Sequence, residues 1–154
     1  MIFNLILLFS VFVLIAAYFI QYVLKHQPCN LCLIERIPYF FSIIIISIFL
    51  FTKKFEKLFL IILSLIFFSG TLIAFYHFGI EQGFFKESLV CDLNNKSNNL
   101  SKEDLLNQLK LMPVSCKDVT FKIFGLSLAT FNIFISLILS AITMKLFLTY
   151  EKNK

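Results

Sequence analysis

Three stretches of this chain run for more than twenty residues without an Asp, Glu, Lys or Arg: residues 1–24, 58–80 and 123–144. Only His77 interrupts the second of them with an ionisable group. A helix needs ~20 largely apolar residues to cross ~30 Å of hydrocarbon, so each stretch is long enough to span a bilayer. A fourth run, 37–52, is shut between Arg36 and Lys53. At ~1.5 Å per residue it reaches only ~24 Å. Its helix is therefore expected to start earlier, near Leu31 or Cys32, which brings Glu35 and Arg36 to the membrane boundary. Composition agrees: 59% of the residues are hydrophobic and 15% charged, against ~45–50% and ~25% in soluble domains. A small water-soluble domain cannot hide that many apolar side chains. The expected fold is an all-α membrane protein. It is a four-transmembrane-helix bundle in one membrane domain, 1–154, with spans at about 2–24, 32–52, 58–80 and 123–145.

Charge placement supplies a topology. The net charge is +5, but the basic residues punctuate the apolar runs rather than gather on one face, which excludes a nucleic-acid binder. Lys53, Lys54 and Lys57 in one connector, with Lys145, Lys152 and Lys154 in the tail, lie on one side. By the positive-inside rule that side is cytoplasmic, with both termini, and the first connector and the loop 81–122 face outward. The first span lacks a basic leader and its apolar run is longer than a signal peptide's ~7–15 residues, so it reads as a retained helix. Within the outer loop, Asn94 to Asn99 form a polar strap. Ser101 and Asp104 then offer a capping pattern ahead of an apolar stripe at Leu105, Leu109 and Met112 that stops at Pro113. This pattern predicts a short amphipathic helix, lying on the membrane surface or packed on the bundle.

Four cysteines, Cys29, Cys32, Cys91 and Cys116, all fall on the outer side. Inert filler would be scattered through the helices, so this segregation points to thiol chemistry. An oxidising compartment lets disulfides persist, and four cysteines permit three pairings that sequence alone does not choose between. Cys29-Asn30-Leu31-Cys32 is a C-x-x-C at a helix start, where unpaired N–H groups and the helix dipole favour thiolate. Arg36, one turn beyond Cys32, is expected to point a cation toward that sulfur. Such a pair closes too small a loop to serve as a staple, and suits redox traffic. Cys91 and Cys116 bracket the strap; bonded, they would close a loop worth roughly 3–4 kcal/mol of chain entropy. A mobile strap would also let either cysteine reach the C-x-x-C. A zinc site drawing on these cysteines, with His26 or His77 as substitutes, fits poorly with the wide loop spacing and an oxidising side. No metal is expected.

An arginine at the membrane boundary is a functional-site candidate by default. Beside a redox pair, Arg36 is placed to bind a polar oxygen of a lipid-soluble electron acceptor. His77, at the same depth by counting, could hydrogen-bond a quinone or pass protons. The need for an acceptor follows from energetics. A partner near ~−120 mV lies ~180 mV above structural disulfides below ~−300 mV, about 8 kcal/mol for two electrons, and something outside the thiol pool must sustain that gap.

These motifs resemble those of the bacterial disulfide bond formation protein B (DsbB) family, with its DsbI-like and Gram-positive relatives. The match is carried by Pro28-Cys29-Asn30-Leu31-Cys32-Leu33-Ile34-Glu35-Arg36, Tyr76-His77, Cys91-Asp92, Cys116 and Phe124-Gly125-Leu126-Ser127-Leu128-Ala129-Thr130. The vitamin K epoxide reductase family shares a four-helix redox core but places its loop cysteines before the C-x-x-C. The resemblance implies a quinone-dependent thiol oxidase of the bacterial inner membrane that re-oxidises a periplasmic, thioredoxin-fold DsbA-like partner. It implies catalytic roles for Cys29, Cys32, Cys91 and Cys116, with Arg36 and His77 at a site for ubiquinone or menaquinone. It also implies the order of exchange: the partner attacks Cys91, Cys116 leaves and engages Cys29, and Cys32 is released beside quinone. The contrasting possibility is a non-enzymatic membrane protein with a structural disulfide in its outer loop.

Overall fold

The computed structural model describes residues 2–86, 115–117, 122–123 and 125–152. Its elements are α1 (Ile2–Tyr22), α2 (Asn30–Ile34), α3 (Ile37–Thr52), α4 (Glu56–Glu81), β1 (Lys122–Ile123), β2 (Leu126–Ser127) and α5 (Leu128–Lys152). Four helical segments are long and apolar enough to cross a membrane: Ile2–Tyr22, Asn30–Thr52, Glu56–Glu81 and Leu128–Thr149. The all-α class and the count of four agree with the sequence. The predicted amphipathic helix, the polar strap and Cys91 lie outside the described residues.

One boundary departs from expectation, and one span that agrees with it carries a local irregularity. The second span starts at Asn30, close to the expected Leu31 or Cys32, and runs to Thr52, with a turn at Glu35–Arg36 between α2 and α3. Pro38, in the first turn of α3, has no N–H to give the carbonyl of Ile34, and its ring crowds that carbonyl. The chain tightens there, with Arg36 N–H donating to Leu33 O at 3.2 Å. The last helix starts at Leu128 rather than 123. Gly125 takes φ +83°, a left-handed conformation that glycine adopts without penalty. This turn lets Lys122 pair with Ser127 and Ile123 with Leu126 in an antiparallel hairpin. The apolar Ile123 and Leu126 read as helix in a hydropathy scan, yet they serve the turn.

The core of the bundle joins Phe3, Ile6 and Leu14 of α1 to Tyr39 and Ile46 of α3, Leu60, Leu63 and Phe67 of α4, and Leu139 of α5. Lipid supplies no hydrophobic drive between helices, so close packing and interhelical hydrogen bonds must hold them. Small buried residues do this work. Ser42 Oγ donates to Ser10 Oγ at 3.1 Å. Ser64 and Ser140 each donate to the other's backbone carbonyl, at 3.4 and 3.2 Å. At Gly70 a Cβ would come within 3.2 Å of the Pro38 ring, so α3 and α4 approach closely there. Large side chains such as Leu8, Phe12 and Phe51 stay exposed on the outside, as a lipid-facing surface requires. Phe3, Phe49 and Phe59 stack at one end of the bundle. The start of α2, the end of α4 and the start of α5 meet at the other.

Candidate active site

Cys29 occupies the N-cap of α2 in extended conformation, φ −71° and ψ 169°, just after Pro28. Its Sγ accepts from Cys32 N–H at 3.2 Å, taking up one of the unpaired donors of the first turn. The Cys29 and Cys32 sulfurs lie 2.8 Å apart as free thiols. A disulfide needs ~2.05 Å, so small side-chain movements close the bond. Cys29 is buried and Cys32 partly exposed.

Across the interface, α4 presents His77. Its Nε2 lies 3.4 Å from Cys29 Sγ, and its Nδ1 lies 2.6 Å from Glu35 Oε1. The break between α2 and α3 sets Glu35 inside the bundle, 7% exposed, where its second oxygen accepts from Asn132 Nδ2 of α5 at 2.9 Å. Asn132 Oδ1 in turn accepts from the Tyr39 hydroxyl at 2.5 Å. One continuous polar chain thus ties the thiol pair to three helices. Glu81, one turn beyond His77, places Oε1 3.7 Å from His77 Nε2. Its Oε2 is buried without a hydrogen-bond partner among the described residues.

These contacts set the acidity of Cys29. The Cys32 side chain hydrogen-bonded to its sulfur lowers the pKa most; burial opposes this, while the hydrogen bond and charge of His77 and the Cys32 N–H assist. The result is a pKa of about 4 against 9.0 for a free thiol. The sequence anticipated an activated thiolate in the C-x-x-C but expected the Arg36 cation to point at the Cys32 sulfur. The structure corrects that expectation. Arg36 Nη1 donates to Gln21 Oε1 at 2.6 Å, and the guanidinium lies over the Tyr18 ring, 5.0 Å from its centroid. Arg36 borders the same cavity as Cys32, but its guanidinium is engaged by α1. The imidazole, not the guanidinium, meets a redox sulfur.

Cys116 is disulfide-bonded and only 2% exposed. It packs in one apolar cluster with Cys29, Leu31 and Ile80. A cavity of about 400 Å³ adjoins this cluster, and its wall includes Cys29, Cys32, Arg36, His77, Glu81 and Cys116. Of the six residues singled out from sequence, five therefore border one space, and Cys91 lies outside the described residues. Sequence reasoning missed Glu35 as the partner of His77, and missed Asn132, Glu81 and Gln21. Glu35 carried a signal: an acidic residue within a span marks a functional site by default.

Residues 1–146 match the family described as disulfide bond formation protein DsbB. An uncharacterized protein of Rickettsia prowazekii (strain Madrid E), RP370, is 29% identical over 153 residues, covering 97% of this chain and 88% of its own length. The family match takes in the C-x-x-C, the histidine facing it and Cys116, and leaves out only the tail of α5. The chain belongs to the DsbB family, the membrane proteins of disulfide bond formation.

Proposed function

We propose that this protein is a thiol:quinone oxidoreductase of the bacterial inner membrane that re-oxidises a DsbA-like dithiol oxidase. The observation that carries this reading is the packing of Cys116, itself disulfide-bonded, in one cluster with Cys29. A loop disulfide and a membrane-edge thiol pair packed in one cluster are equipped for exchange; a purely structural disulfide has no use for an activated thiolate nearby.

The partner's thiolate attacks Cys91, breaking a Cys91–Cys116 bond, and Cys116 leaves as a thiolate. Cys116 attacks Cys29 of the oxidised C-x-x-C, and Cys32 leaves. The partner's second thiolate resolves its bond to Cys91 and departs oxidised. Cys91 then attacks Cys116, and Cys29 leaves. The loop pair is oxidised again and Cys29 and Cys32 hold the two electrons. Thiolate character makes Cys29 a good leaving group in the last step. His77 stabilises its negative charge from 3.4 Å, while Glu35 fixes the ring.

Bound quinone, ubiquinone or menaquinone, supplies the sink for two electrons and two protons as the Cys29–Cys32 bond closes. The residues present fit such a group. The cavity of about 400 Å³ lies within the ~300–1,000 Å³ usual for small-molecule sites. Its wall offers the Cys32 thiol and the Arg36 guanidinium, a donor for a carbonyl oxygen. The cysteines face the periplasm and both termini the cytoplasm, as the lysine pattern indicates.

The test mixes purified protein with a reduced thioredoxin-fold oxidase and each quinone in turn, following quinone absorbance. The expected result is one quinone reduced per partner disulfide formed. No quinone reduction, with a Cys91–Cys116 potential below ~−300 mV, would leave a structural disulfide as the better account.

A further inference from the structure

We propose that the reduced C-x-x-C, with His77 and Glu81, is a binding site for a thiophilic divalent cation, Zn²⁺ in the cell, and that its occupation holds the protein inactive. Donor atoms of Cys29, Cys32 and His77 lie within 4.8 Å of one another. C-x-x-C at a helix start is a common zinc spacing, and tetrahedral bonds of ~2.3 Å to sulfur and ~2.0 Å to nitrogen set the sulfurs about 3.8 Å apart. The sulfurs now stand 2.8 Å apart, so the partly exposed Cys32 side chain must swing by about 1 Å. The Cys29 Sγ to His77 Nε2 separation of 3.4 Å already suits a shared ion.

Two further features point the same way. Metal-bound histidines almost always anchor their other ring N–H on a carboxylate, a backbone carbonyl or water, which fixes the tautomer and orients the ligating nitrogen. His77 Nδ1 meets Glu35 at 2.6 Å, and Glu35 is itself held by Asn132. Glu81 stands beside the trio rather than within it: its Oε1 lies 3.7 Å from His77 Nε2 and its buried Oε2 has no hydrogen-bond partner among the described residues, so a small shift of its side chain would supply the fourth donor. An unpaired buried carboxylate oxygen is costly, and a cation satisfies it.

Binding forms two metal–sulfur bonds and one metal–nitrogen bond and displaces the Cys32 thiol proton and the His77 Nε2 proton to water, with no change of oxidation state. Disulfide sulfurs are poor ligands, so only the electron-loaded form binds, and closure of Cys29–Cys32 is blocked while the ion stays. This consequence for turnover rests on the proposed thiol oxidase function; the binding itself does not.

The experiment uses the full chain carrying Cys91→Ser and Cys116→Ser, so that Cys29 and Cys32 are the only thiols. Reduced, quinone-free protein is titrated with Cd²⁺, read by its sulfur-to-cadmium charge-transfer absorption, with Zn²⁺ as competitor. One ion per chain is expected, with none after the pair is oxidised. His77→Gln should weaken binding by about tenfold or more, and Glu81→Gln by a smaller factor. Zinc X-ray absorption on the same double-serine chain should show two sulfurs and two lighter ligands. Affinity within twofold of the parent in His77→Gln, or a four-sulfur shell shared by two chains, would overturn the site. Both readouts are independent of quinone reduction, which is assayed separately on the metal-free native chain.

Discussion

The two halves of the bundle use polar side chains in different ways. In the half around Ile46, Leu63 and Phe67, many hydroxyls fold back on their own helix: Ser47 donates to Ile43 O, Thr71 to Phe67 O and Thr143 to Leu139 O. Serine contacts between helices there involve neutral groups only. At the other end, ionisable groups are linked between elements far apart in sequence: His77 with Cys29 and Glu35, and Glu35 with Asn132. Buried charge is costly in lipid unless fully paired. The chain accepts that cost only where sulfur chemistry needs it, and the apolar half is a scaffold that holds the helix ends in register.

Substitutions sharpen this contrast, and the largest effect belongs to the thiols. Cys32→Ser should abolish quinone reduction, by about a thousandfold or more, while a partner adduct still accumulates at Cys91 in non-reducing gels. Next come two substitutions of similar cost in different halves. Leu63→Ala opens a cavity and Glu35→Ala strands His77 and Asn132, each lowering stability by about 2–4 kcal/mol in denaturant titrations. Only Glu35→Ala should also slow alkylation of Cys29; equal slowing by Leu63→Ala would erase the distinction between site and scaffold.

The pH dependence of Cys29 gives a third comparison. A pKa lowered to about 4 leaves the sulfur ionised at every pH above that value and protonates it only as pH falls through it. Corrected for the probe, alkylation of Cys29 in the reduced protein should be flat from pH 6 to 8. An ordinary thiol near ~8.5 would speed up by roughly tenfold per pH unit. Arg36→Ala should raise the KM for quinone by about tenfold with the disulfides still formed, since its guanidinium is held by Gln21 and Tyr18 rather than by a cysteine. The smallest effect is expected in the scaffold. Ser42→Ala removes one hydroxyl contact to Ser10 and should cost about 0.6 kcal/mol, a typical interhelical value.

Much of the scaffold was legible in the sequence because the bilayer imposes length and apolarity on every span. The meeting of Cys29, Cys32, Cys116 and His77 at one end of the bundle was legible too, as groups placed at one depth. What sequence did not reveal was direction. Pro38 tightens the second span at Glu35–Arg36, and Arg36 pairs with Gln21 and Tyr18 of α1 rather than with a sulfur. The His77–Glu35 and Glu35–Asn132 contacts join residues 42 and 97 apart in the chain, and no periodicity encodes a contact between helices. The last boundary was missed for a different reason: Ile123 and Leu126 are as apolar as a span, and only the left-handed turn at Gly125 separates them from α5.

The central claim is that Cys116 exchanges directly with Cys29. Its most direct test is the chain carrying Cys32→Ser and Cys91→Ser, oxidised in membranes and mapped by peptide mass spectrometry. The account predicts an intrachain Cys29–Cys116 disulfide in nearly every molecule. Two free thiols, after oxidation that fully closes both pairs in the native chain, would contradict it.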